Sequence, residues 1–127
     1  MDYDTATQIW FWALVMVAPI VVAGAAVIVG KRGALPRARM LHFAGGVVAA
    51  ILLAIVGPWI AHALNPPPYD PAFAGGRGLD LRGFSDVIGA WAGAALTFAV
   101  TVVAAAAFAL QAALRTRRLR RAVDAEG

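Results

Sequence analysis

Residues 87–114, VIGAWAGAALTFAVTVVAAAAFALQAAL, run without a single Asp, Glu, Lys or Arg. As an α-helix at 1.5 Å per residue this stretch extends ~42 Å, more than the ~30 Å hydrocarbon core of a bilayer. Lipid offers backbone N–H and C=O groups no partners, so a helix is the form such a run must take. Two further stretches repeat the pattern, 9–30 and 40–64, and neither contains a charged residue. The shorter of these reaches ~33 Å as helix, still enough to cross. The expected fold is therefore an all-α integral membrane protein with three transmembrane helices in one membrane domain over 1–127. The third helix should tilt or continue past the bilayer.

The whole chain agrees with that run. Of 127 residues 61% are hydrophobic and 14% are charged, against about 25% charged in a soluble domain. So much apolar surface excludes a disordered chain, and the length allows one domain. Cysteine is absent, which excludes disulfide scaffolds and thiolate metal or redox sites.

Charge between the spans predicts orientation. Lys31, Arg32, Arg37 and Arg39 separate the first two, and Arg115, Arg117, Arg118, Arg120 and Arg121 follow the third. These are nine of the eleven basic residues; the other two, Arg77 and Arg82, share the 65–86 loop with Asp70, Asp80 and Asp86. Cationic loops stay in the cytoplasm, so the amino terminus and the 65–86 loop are expected outside and the carboxyl terminus inside. Trp10, Trp12, Trp59 and Trp91 all fall near the outer ends of their spans in this topology, where indole rings prefer to sit. Ala23-Gly24-Ala25 has the look of a signal cleavage site, but Asp2 and Asp4 stand where a signal peptide needs positive charge, and the first span is expected to be retained.

The 65–86 loop opens with Asn65-Pro66-Pro67-Pro68, a stiff polyproline II piece, and continues through a glycine-rich segment. Its simplest role is a connector that dips into the interface; the alternative is a docking arm for a neighbouring subunit. The tail 115–127 packs five arginines into seven positions. Such a cluster beside a membrane helix meets anionic lipid headgroups. Without interleaved aromatics it does not suggest a nucleic-acid partner.

Association of helices in lipid depends on small residues that let backbones approach. Gly46, Ala50 and Ala54 make one four-residue row, and Gly89, Gly93, Thr97, Thr101, Ala105 and Ala109 make another that begins as GxxxG. Each step of four drifts ~40° round the helix, so these rows are slanting ridges. They are the expected contacts with other membrane subunits. Pro19 and Pro58 should kink the first two helices.

Chemistry is sparse. Without Asp, Glu, Lys or Arg inside the spans, proton-coupled transport and voltage sensing lack their working parts. Ser85-Asp86 is expected to cap the third helix and not to act as a nucleophile. His42 and His62 are the candidate cofactor contacts. They lie ~30 Å apart along one helix, so they cannot share a haem. Arg39-Met40-Leu41-His42-Phe43, with Gly57 beyond, resembles the Arg-x-x-His-Trp start of the haem-bearing helices of membrane cytochrome b subunits. That resemblance implies a haem-ligand role for His42 and electron exchange with quinone. It covers residues 39–57, with Phe43 in the place of tryptophan and no histidine in the other two spans.

The function expected is a non-catalytic accessory or scaffolding subunit of a larger assembly in a bacterial inner membrane, without a cofactor. The alternatives are a haem b- or quinone-binding anchor of a respiratory enzyme and a small holin-like pore-forming homo-oligomer.

Overall fold

A computed structural model describes residues 2–68 and 84–126 of the chain. Among these, all regular structure is helical: α1 (Tyr3–Lys31), α2 (Pro36–Leu64) and α3 (Phe84–Glu126). All three are long and apolar enough to cross a membrane. Most of the 65–86 loop, including Asp70, Arg77, Asp80 and Arg82, lies outside the described residues, and with it the docking-arm expectation. The 43 residues of α3 give it a length of ~65 Å. The arginine tail is therefore the last part of α3, continuing as helix beyond its apolar run.

Local chemistry sets the helix ends. The Asp2 carboxylate accepts the Thr5 amide proton at 2.8 Å, a side-chain cap on α1. These Thr5 hydrogen bonds hold the Asp2 carboxyl below its ordinary pKa. A depressed folded-state pKa means the cap stabilises fully above the unfolded pKa and is lost as pH falls through the folded one. Protection of the Thr5 amide, the slowing of its exchange relative to an unfolded peptide at the same pH, should therefore fall once pH drops below the ordinary carboxylate range near about 3.9, and Asp2→Ala should remove that loss of protection.

At its other end α1 closes with paired backbone bonds, Ala34 N–H to the Val29 carbonyl at 2.9 Å and Gly33 N–H to that of Gly30 at 3.2 Å. This is the Schellman arrangement, and it needs the left-handed Gly33, whose φ is 89°. Leu35 is extended ahead of Pro36, which begins α2 with its φ already helical. At the far end Asn65 Nδ2 donates to Thr7 Oγ1 at 3.1 Å, tying the end of α2 to the start of α1.

The expected cap at Ser85-Asp86 is not what forms. Both residues lie inside the first turn of α3, and Ser85 Oγ and Asp86 Oδ1 are buried without hydrogen-bond partners. The helix starts earlier than the charge boundary, because Phe84 and Ser85 already turn with it.

Contacts along the helices give the topology. Phe11 and Leu14 of α1 meet Gly89 and Gly93, and Gly30 meets Phe108, so α1 and α3 run parallel. Gly46 of α2 meets Thr101 and Gly57 meets Ala90, so α2 runs antiparallel to α3. α3 is the central helix; it packs extensively on both others, which touch each other far less. One apolar cluster joins Leu14, Ala61 and Ala90, with Trp10 and Leu53 against it. A second, at the opposite end, joins Ala34, Ala104 and Phe108.

Between the clusters Thr97 and Thr101 are completely buried. Their hydroxyls donate back to the carbonyls of Gly93 at 2.6 Å and Thr97 at 2.7 Å. Satisfied within their own helix, they need no polar partner across the interface. The small row does not continue through Ala105 and Ala109 as expected. It moves to Ala104 and Phe108, which are buried, while Ala105 is half-buried and Ala109 exposed. On α2 the buried positions are Gly46, Ala50, Gly57 and Ala61, and Ala54 is half-buried. The physical reason is the same for both helices. Steps of four alone drift off the seam, and interspersed steps of three bring it back.

Candidate functional site

The two ends of the bundle differ in chemistry. At one end the four tryptophans gather, because α1 starts, α2 finishes and α3 starts there. Trp12, Trp59 and Trp91 are exposed, and Trp10 is half-buried against the Leu14 cluster. Phe11 meets Trp12 edge-on, their ring centroids 5.4 Å apart.

The same end brings together two residues whose proximity the sequence alone does not reveal. Asp86 is 3% exposed with one carboxylate oxygen unpartnered. Ala61 and Ala90 are packed in one cluster, which brings the neighbouring His62 and, one turn before Ala90, Asp86 to the same interface. A shallow cavity of about 350 Å³ opens beside them, lined by Pro58, Trp59, His62 and Val87. The only signal in the sequence is that span two ends and span three begins on the same side. That sets a common height but not a common face.

His42 lies apart from this group. Its Nε2 is 3.0 Å from the Val22 carbonyl of α1, and its ring meets Phe108 edge-on at 5.7 Å. A carbonyl only accepts, so Nε2 is the donor of this bond. His42 thus joins all three helices, and a metal at Nε2 would have to displace that bond. Among the described residues no three His, Asp or Glu side chains are grouped to hold a metal ion.

The helix-packing residues face inward. A Cβ on Gly93 would overlap the Leu14 carbonyl oxygen and stand 2.9 Å from its carbon. One on Gly89 would be 3.1 Å from a Phe11 ring carbon, and one on Gly46 would fall into the Thr101 side chain, 2.7 Å from Cγ2. Gly46, Ala50, Gly89, Gly93 and Thr97 are therefore occupied by the chain's own helices. Among the described residues nothing covers the opposite face of α3. Ala95, Ala99, Ala106, Ala109 and Ala113 are exposed there together with Val102, about 160° round the axis from the buried seam at 100° per residue.

At the other end Arg115, Arg117, Arg118, Arg120 and Arg121 are all exposed. Arg115 Nη1 donates to the Gly33 carbonyl at 3.3 Å, linking α3 to the α1–α2 turn. Comparison with protein-family models, with curated proteins and with solved structures gives no match.

Proposed function

We propose that the chain is a non-catalytic accessory or scaffolding subunit of a larger assembly in a bacterial inner membrane, with its amino terminus outside and its carboxyl terminus in the cytoplasm. The observation that carries this reading is the uncovered small-residue seam of α3, Ala95, Ala99, Ala106, Ala109 and Ala113. Their spacing follows the alternating four-and-three pattern of helix packing, and small side chains are what a second helix in lipid requires. The tryptophans anchor one end in one interface, and the arginine tail holds the other against anionic headgroups.

The test is co-purification in mild detergent followed by mass spectrometry. Ala99→Leu with Ala106→Leu should release the neighbouring subunits, whereas Val103→Ala, on a different exposed face, should retain them. Wild-type protein that emerges alone and monomeric would defeat the proposal.

The cavity beside His62 favours a second reading, a quinone-binding anchor subunit. A quinone head group needs a hydrogen-bond donor at its carbonyl, and His62 offers one next to the Trp59 indole. Quenching of tryptophan fluorescence by a short-chain quinone should then disappear in His62→Leu; unchanged quenching would remove this alternative.

A further inference from the structure

The end of the bundle opposite the tryptophans contains a cavity of about 190 Å³, where the α1–α2 turn meets α3. Its wall is made by residues 33–36, Arg39, Gln111, Ala112, Arg115 and Thr116. Arginines from two helices line it, and no acidic residue among the described ones does. Arg39 is half-buried, and its Nε is buried without a hydrogen-bond partner. A charged donor removed from water and left unpaired is costly, so an acceptor is the missing component. The second arginine of the wall is already positioned: Arg115 bonds the Gly33 carbonyl, and a Cβ at Gly33 would stand 3.7 Å from its Nη2. The first turn of α2 adds positive potential, since Leu35 makes no side-chain cap bond there.

The depth of the cavity is also informative. The apolar runs end at Gly30, resume at Met40 and end again at Leu114. Arg39 and Arg115 therefore stand at the boundary between hydrocarbon and polar headgroups. Of the tail arginines only Arg115 is on the wall, so this cavity is distinct from a diffuse attraction of the tail to a charged surface.

We propose that this cavity is a phosphate-binding site in which Arg39 and Arg115 hold one phosphate group between α2 and α3. A guanidinium presents forked donors that match phosphate oxygens. The phosphate can come from an anionic lipid headgroup or from a soluble phosphate, and both offer the same oxygens.

The full chain, purified in a nonionic detergent, is titrated with phosphatidylglycerol and followed by native mass spectrometry, and separately with inorganic phosphate followed by thermal unfolding. Arg39→Gln with Arg115→Gln should weaken the first bound lipid about tenfold or more, the scale of losing charge-assisted hydrogen bonds. Arg117→Gln with Arg120→Gln makes the same charge change away from the cavity and should weaken it about twofold at most, a screened surface effect. If the glutamine pair does not fold, Arg39→Lys with Arg115→Lys keeps the charge and loses the forked geometry, and should still bind more weakly than wild type. Lipid adducts that resist inorganic phosphate identify the headgroup as the source. Stabilisation by inorganic phosphate that depends on both arginines identifies a soluble one. Equal weakening by the cavity and tail pairs, or no binding of either probe that depends on Arg39 and Arg115, overturns the proposal.

Discussion

Gly93→Leu should be the most damaging single substitution in the described part of the chain. A Cβ at this position would overlap the Leu14 carbonyl oxygen and come within 3.0 Å of Leu53 Cδ2. The first obstacle is backbone, which cannot rotate away as a side chain can. Accommodating it requires α1 and α3 to separate, and that opens the cluster of Leu14, Ala61 and Ala90. Overpacking a tight site usually costs about 1–3 kcal/mol, and the loss here should reach or pass the upper end. Thermal unfolding in detergent measures it. Gly24→Leu and Gly45→Leu are the controls, because nothing stands within 4 Å of a Cβ at either. Both should change stability by less than about 0.5 kcal/mol, as surface substitutions do. Equal losses at Gly93 and Gly24 would mean that α1 does not pack on α3 as described.

Gly46→Ala should be the second most damaging change, and a reversible one. The added methyl falls into the Thr101 side chain, which is completely buried and held by its hydroxyl on the Thr97 carbonyl. Thr101→Gly removes the obstruction at a cost of its own, since glycine within a helix is about 1 kcal/mol worse than alanine. The double variant should nevertheless be more stable than the sum of the two single losses, by about 1–3 kcal/mol of coupling. Strict additivity would show that α2 and α3 do not meet at these residues.

These two sites show why the small-residue rows are legible only in part. Gly89-x-x-x-Gly93 is recognisable in the sequence as a place where a backbone can approach, but its partner is α1 of the same chain. Nothing in the motif distinguishes a helix of the same chain from one of a neighbouring subunit, because both present the same kind of surface in lipid. The uncovered seam on α3 has equally ordinary residues, and only the positions of α1 and α2 reveal that it is free. The shared interface of Asp86 and His62, and the cavity wall shared by Arg39 and Arg115, depend on the same relative rotations of the helices.

Three membrane-length helices were determined by the sequence alone, because uncharged runs of this length in lipid leave the backbone no other way to satisfy its hydrogen bonds. The tight turn between α1 and α2 was also written locally, in Gly33 for the left-handed position and Pro36 for the first helical one. The tertiary structure alone decided that α3 is central, that the seam passes from Thr101 to Ala104 and Phe108, and that Arg39 and Arg115 line one cavity. Hydrogen bonding within a helix is local and independent of its neighbours. The rotation of one apolar helix against another has no such local constraint, and the closest approach of Gly46, Gly89 and Gly93 to the other helices sets it.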